Sequence, residues 1–203
     1  MSRITIDIRK GDLLKVKAAA IVNPANSTGA MADGVSLAIR RAGGQAIEDL
    51  AIEQAPIPVG MAVATPAGSL PFRHVVHAAS MKRPRQRIPS ENIRDATRAA
   101  IETADGLGCE SLAIPDLGAH AGKVSYIEAA REMIRAIASA KTTTLRHVVL
   151  VDQEKRMVDA WRKARGGDEP DEDDRRHLRR KTHLPRTQAS RQRNRHRTFG
   201  FHP

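Results

Sequence analysis

Apolar and polar residues alternate from the start of the chain. Ile4, Ile6 and Ile8 are separated by Thr5 and Asp7, the period of a strand with one buried face. Gly11-Asp12 stops that strand, and residues 13–17 have room for one short helical turn. The next apolar run, residues 18–22, predicts a second strand over 19–23 that breaks at Asn23-Pro24. A loop of Asn, Ser, Thr, Gly and Ala follows. From Val35 the apolar positions recur at helical spacing through Ala38, Ile39 and Ala42, so a helix is predicted over about 34–42, closed by Gly43-Gly44. Another, over about 46–54, stops before Pro56 and Pro58.

The second half continues the alternation. Residues 61–65 predict a third strand, closed by Pro66-Ala67-Gly68, and residues 74–79 (HVVHAA) a buried one. His77 lies inside this apolar run and reads as a satisfied core histidine rather than a catalytic group. A basic, proline-bearing loop over 81–90 leads to a helix over 91–107, with Ser90 as its N-cap and Gly106 and Gly108 marking its end. A strand over 111–114, a loop over 115–124 and a helix over 125–138 come next. A strand over 146–151 and a helix over 153–163, with Val158 and Trp161, complete the pattern. Strands and helices alternate without an internal repeat, which predicts a layered α/β fold.

Composition narrows the picture. At 203 residues the chain can hold one ordinary domain plus an extension. Aromatic residues make up 2%, so the core must be built from Ala, Val, Ile and Leu, and few side chains could stack on nucleic-acid bases. The single cysteine, Cys109, excludes an internal disulfide and a cysteine-based metal cluster. With a strand-like rather than signal-like N-terminus, it makes the reducing cytoplasm the expected location. No apolar run approaches the roughly 18–20 residues of a membrane span, so no membrane partner is expected. No metal and no cofactor is implied.

The formal charge of +11 is unevenly spread. A domain is expected over 1–164 and a tail over 165–203, which opens with the acidic linker GGDEPDEDD. From Arg175 onward the tail holds ten Lys or Arg residues, no acid and little apolar content. Such a segment cannot bury enough surface to offset its ordering entropy, so disorder is expected. Its 175–203 stretch could contact the phosphates of RNA or DNA; the alternative is a solvated tail paired with its own acidic linker.

Two loops carry candidate chemistry, because each joins the end of a strand to the start of a helix, where α/β sheets bind ligands. In the first, free N–H groups at the helix start around Gly34 and Val35 suit phosphate. Asn26 could offer its amide to a ligand hydroxyl; alternatively Asn23 and Asn26 only bond the turn backbone. In the second, PDLGAHAGKV, Gly118 and Gly122 would let the backbone come close to a ligand. Its run from Gly118 to Lys123 is one residue short of a Walker A loop and lacks Ser or Thr after the lysine, which excludes an NTPase. Asp12, at a third handover from strand to helix, is either an N-cap or an acceptor for an exocyclic amine.

Four separate motifs, in order and spacing, resemble the macro domain family, the α/β/α module that binds ADP-ribose. GDLLKVKAAAIVNPANS resembles the family's Gly-Asp-Ile/Leu followed by an apolar strand and Asn-Pro/Ala-Ala-Asn. DGVSLAIRRAGG resembles its glycine-rich loop entering a helix, and PIPVGMAVATPAGSLPFRHVVHAAS resembles the two strand motifs that follow. The resemblance runs from Ile4 to about Lys163. It implies a three-layer α/β/α macro domain fold with a mixed central sheet. It implies that Asp12 would accept from the adenine amine and that Asn26 would face the distal ribose. Gly34, Val35 and neighbouring amides would take one side of the diphosphate. Gly118, Ala119, His120, Ala121 and Gly122 would take the other side and shape the distal ribose pocket. Leu13 and Asn23 join the expected ligand-binding set.

The departures from the family are informative. Where three glycines are usual, this chain has Ala32-Asp33-Gly34. The Asp33 carboxylate would repel a nearby diphosphate unless it points away; two unit charges about 4 Å apart repel by about 4 kcal/mol at an effective dielectric near 20. Ser36 stands where some hydrolytic relatives carry Asp, and Ala119-His120-Ala121 where Ser/Thr-Gly and an apolar residue are usual. His120 is a proton carrier, a cap on the ribose, or filler that narrows the pocket. The expected function is binding of ADP-ribose or a related ADP-ribosyl nucleotide, with free ADP-ribose or ADP-ribosylated protein as the partner. Hydrolysis of ADP-ribosyl or O-acetyl-ADP-ribose esters is an extension of that reading, with Asn26 and His120 as catalytic candidates. The alternative is a non-catalytic macro-fold module with a drifted pocket, whose basic tail binds nucleic acid.

Overall fold

The apolar runs become the strands of one six-stranded sheet: β1 (Thr5–Lys10), β2 (Ala20–Asn26), β3 (Ala62–Pro66), β4 (His74–Met81), β5 (Ser111–Ile114) and β6 (His147–Asp152). The periodic segments become five helices: α1 (Gly34–Gly43), α2 (Ala46–Glu53), α3 (Ser90–Gly106), α4 (Tyr126–Ser139) and α5 (Lys155–Gly166), with a 3₁₀ turn at Leu13–Lys15. This is a computed structural model, and it describes residues 4–166. The expected 175–203 nucleic-acid segment lies outside the described residues.

The strand order is β1-β6-β5-β2-β4-β3. All pairings are parallel except β3 with β4, which makes the sheet mixed. Parallel neighbours send their carboxyl ends to the same side, so the loops after β1, β6, β5 and β2 gather along one rim.

Alternation across each strand divides the core in two. Ala20, Val22, Leu112, Ile114, Val148 and Leu150 belong to one cluster, together with Ile93 and Ala100 of α3, Ala130 and Met133 of α4 and the fully buried Trp161 of α5. Ile21, Ala113, Val149 and Val151 belong to the other, with Ile39 of α1, Ile47 of α2, Leu13 and Met31. Helices therefore cover both faces, giving three layers. The core is built largely of the Ala, Val, Ile and Leu that the composition predicts, many of them fully buried.

Two expectations are corrected. β2 does not break at Asn23-Pro24 but continues to Asn26, paired with β4 through Asn23↔His77, Pro24↔Ala78 and Ala25↔Ala79. β5 is four residues long and pairs with β2 only at Ala20 and Ile21, so the later part of β2 has an open edge that accommodates a proline. Ser90 is the first residue of α3 rather than its N-cap; Pro89 takes the cap position, and no side chain caps that end.

His77 is the satisfied core histidine that its apolar surroundings predict. It is fully buried, with Nδ1 3.0 Å from Asn23 Nδ2 and Nε2 3.0 Å from Thr65 Oγ1. Burial pushes its pKa down to about 4, so the ring is neutral near pH 7.

Candidate functional site

A cleft of about 640 Å³ opens along the rim formed by the carboxyl ends of β1, β6, β5 and β2. Its walls are built by the loops that follow those strands, each held by a carboxylate or amide near the strand end.

After β1, Asp12 caps the 3₁₀ turn: its Oδ1 accepts from the Leu14 N–H at 2.9 Å. Asp12 and Leu13 both line the cleft. The two readings of Asp12 are therefore compatible in space, since a carboxylate has acceptor capacity beyond one backbone bond.

After β2, Asn26 bonds its own turn and faces the cleft as well. Its Oδ1 accepts from Thr28 N–H at 2.9 Å and from Thr28 Oγ1 at 2.6 Å, and its Nδ2 donates to the Ala30 carbonyl at 3.3 Å. The loop is pinned further on by Glu48 of α2, which accepts from Met31 N–H at 2.6 Å while bound by Arg40 and Gln45. Burial alone would raise the Glu48 carboxyl; these hydrogen bonds outweigh it and hold it below the ordinary value. Ser36 Oγ donates to the Pro24 carbonyl at 3.1 Å, tying the first turn of α1 to β2.

After β5, one buried side chain shapes the whole loop. Asp116 Oδ1 accepts from the N–H groups of Gly118 (3.1 Å) and Ala119 (2.9 Å), and Oδ2 accepts from His120 N–H (3.0 Å). The same Oδ2 lies 3.0 Å from His120 Nδ1. Burial pushes the Asp116 carboxyl up, but the bonds from His120 and the backbone override it and hold the group below its usual range. The Asp116 hydrogen bond raises the His120 pKa in turn. The Tyr126 ring meets His120 edge-on, with centroids 5.6 Å apart.

After β6, Asp152 and Glu154 line the remaining wall, and burial raises the Asp152 carboxyl. The loop after β4 contributes Pro84 and Arg85 from the opposite side. Arg85 Nε lies 3.1 Å from Asp33 Oδ2. Among the described residues it is the one lysine or arginine in the lining, against the carboxylates of Asp12, Asp33, Asp116, Asp152 and Glu154. No group of three or more His, Cys, Asp or Glu with metal-holding geometry occurs among the described residues.

The structure thus brings together Asp12, Leu13, Asn26, Gly34, Val35, Gly118, His120 and Ala121 on one cleft. It does not bring Asn23, Ala119 or Gly122 there. Asn23 is buried with its amide on the His77 ring of β4, neither in the cleft nor on the turn backbone. Gly118 and Gly122 owe their lack of a side chain to packing: a Cβ on Gly118 would come within 2.4 Å of Ile93 Cδ1, and one on Gly122 within 2.7 Å of the Gly118 carbonyl oxygen. The sequence reading missed Asp116, Asp152 and Arg85. A polar residue closing an apolar strand, as in VVLVD, or an Asp two residues past one, as in LAIPD, is the signal that marks the first two.

Comparison with known proteins agrees with this architecture. The family model for the macro domain matches residues 22–133. An uncharacterized protein of Aquifex aeolicus is 46% identical over 161 residues, covering 79% of this chain and 98% of that protein. Another, of Aeropyrum pernix, is 46% identical over 144 residues, covering 71% and 76%. Among solved structures, a mutant Oceanobacillus iheyensis macrodomain with ADP-ribose superposes with a TM-score of 0.70 at 21% identity, covering 80% of this chain and 91% of the other. The Trypanosoma brucei macrodomain in complex with ADP-ribose gives 0.70 at 19% identity, covering 81% and 69%. The fold, the family model and the relatives converge, and the chain belongs to the macro domain family.

Proposed function

We propose that the cleft binds the ADP-ribosyl group, free or attached to protein. The observation that carries this reading is the order of functional groups along the rim. Across β1, β6, β5 and β2 they run Asp12, Asp152, the loop ordered by Asp116, then Asn26 with the start of α1. ADP-ribose is linear in the matching sense: adenine, ribose, diphosphate, ribose. Asp12 accepts from the adenine amine, the amides at the start of α1 and the Ala121 N–H, which lies beyond the three that Asp116 engages, meet the diphosphate, and Asn26 meets the distal ribose. Macrodomains of the same fold from Oceanobacillus iheyensis and Trypanosoma brucei hold ADP-ribose, which supports the choice of ligand. Calorimetric titration with ADP-ribose, AMP and ribose 5-phosphate tests it. Micromolar binding of ADP-ribose with much weaker binding of the fragments is expected; equal weakness of all three overturns it.

A second reading, hydrolysis of ADP-ribosyl esters, is favoured by the Asp116–His120 pair. With Nδ1–H donated to Asp116, the imidazolium form of His120, which that carboxylate favours, gives its Nε2 proton to the departing ester oxygen as water attacks the anomeric carbon and the carbon–oxygen bond breaks; the proton of the attacking water then returns to Nε2. Turnover of an ADP-ribosylated protein, lost in His120→Gln while ADP-ribose affinity stays within about threefold, is the expected result. An unchanged rate in that variant removes His120 from the chemistry.

A further inference from the structure

The connection from β4 to α3 is basic, with Lys82, Arg83, Arg85 and Arg87, and it is tied to both loops that flank the cleft. Ile88 N–H donates to the Gly122 carbonyl at 3.1 Å, which fixes one end against the β5–α4 loop. Arg85 adopts φ of 57°, a left-handed conformation uncommon outside glycine, and turns its side chain to Asp33 at the start of α1. Asp33 is the N-cap residue of α1 with an extended backbone, the position from which an Asp side chain ordinarily accepts from the first-turn amides, yet it makes no side-chain cap bond. Its carboxylate goes to Arg85 instead. The contact uses Nε, which leaves the two amino groups of the guanidinium fork for another acceptor.

Resting on the ADP-ribose reading, we propose that Arg85 is a ligand-positioning residue that clears and completes the diphosphate site. It draws the Asp33 carboxylate off the amides of α1, so those amides remain open to phosphate, and it presents its free amino groups to the same diphosphate. This accounts for an aspartate where the family has glycine. The charge that would repel the ligand is held and neutralised by the only lysine or arginine that the described residues place in the lining.

The test compares ligands with and without phosphate on the full chain: ADP-ribose, ADP and adenosine against wild type, Arg85→Ala, Arg85→Lys and the double variant Asp33→Asn/Arg85→Ala. Both side chains are exposed, so melting curves should be unchanged and a folding defect does not obscure the result. Arg85→Ala is expected to weaken ADP-ribose and ADP by about tenfold and leave adenosine unaffected. Arg85→Lys falls between, because it keeps the charge without the fork. Asp33→Asn in the Arg85→Ala background should recover part of the loss, the remainder being the missing guanidinium, and all the effects should shrink at high salt. Equal weakening of adenosine, no change with any ligand, or tighter binding of all three, as for a strap that merely covers the cleft, each overturns the inference. Failure of wild type to bind ADP-ribose or ADP overturns the function reading itself, and is distinguished by being independent of Arg85.

Discussion

A single oxygen, Asp116 Oδ2, holds His120 at two points: 3.0 Å from its backbone nitrogen and 3.0 Å from Nδ1 of its ring. The loop conformation and the ring orientation are thereby fixed by the same carboxylate. Asp116→Ala removes the acceptor for three backbone N–H groups and the imidazole, and should lower stability by about 3 kcal/mol. Asp116→Asn keeps an oxygen for Gly118 and Ala119 and should cost less. Denaturant unfolding of the two variants gives the order.

His120 and His77 are shifted in opposite senses by their surroundings. His120 has its pKa raised, so its contribution is complete below the ordinary value of about 6.5 and is lost as pH rises through the folded value. Its ring is half exposed, and the effect should stay below about 1 kcal/mol. His77 has its pKa lowered to about 4, so its contribution is complete above about 6.5 and is lost as pH falls towards 4. That loss amounts to about 3 kcal/mol. An NMR titration of the ring protons should find one midpoint above 6.5 and one near 4; a His77 midpoint near 6.5 would contradict the buried, neutral ring.

Gly122→Ala should destabilise more than Gly118→Ala. The new methyl at 122 meets a backbone oxygen at 2.7 Å, whereas at 118 it meets side-chain carbons alone, Ile93 Cδ1 at 2.4 Å and Cγ1 at 2.7 Å, which can shift where a backbone oxygen cannot. Overpacking of this kind costs about 1–3 kcal/mol. Adding Ile93→Val to Gly118→Ala should recover part of the loss, and thermal melts of the three variants decide the point.

Asn26→Asp keeps the oxygen that Thr28 uses but loses the amide donor and puts a charge in the cleft. ADP-ribose affinity should drop at least about tenfold while the melting temperature changes little. Asn26→Ala loses the turn bonds as well, so both quantities should fall. A variant pair that behaves alike in both assays would mean that Asn26 serves the turn alone.

Residues 4–166 contain both core clusters and the cleft, so a chain ending at Gly166 is expected to melt where the full chain does. We propose that any salt-sensitive binding to RNA or DNA resides in 175–203 and disappears with it. Filter binding across a salt series compares the two chains.

Much of this was legible in the sequence because it is local. Strand alternation, the helical spacing from Val35, the glycines after α1 and the position of Asp12 are all set within a few residues. Pro24 misled because a proline ordinarily ends a central strand, and only the shortness of β5, nearly ninety positions later, leaves β2 an edge that tolerates it. The glycines at 118 and 122 read in the sequence as room for a ligand, whereas in the fold a Cβ there would meet Ile93 of α3, Ile88 on its approach and the Gly118 carbonyl. Arg85 read as one charge in a basic loop; its partner lies 52 positions away, a pairing that exists only once the fold is closed.

The four-residue length of β5 has a consequence for how such a site could be lost or altered. β2 runs on from Val22 to Asn26 with no β5 partner, a stretch of about 16 Å at strand rise. The recess is therefore made by omission: it occupies ground that a longer neighbouring strand would have filled with its own backbone. An insertion of two or three β-forming residues after Ile114 would extend the ladder into the recess and carry Asp116 and its loop along with it, while every one of Asp12, Asn26 and Asp116 kept its identity. The proposed capacity of this chain to hold a ligand is guarded by a length as much as by any side chain.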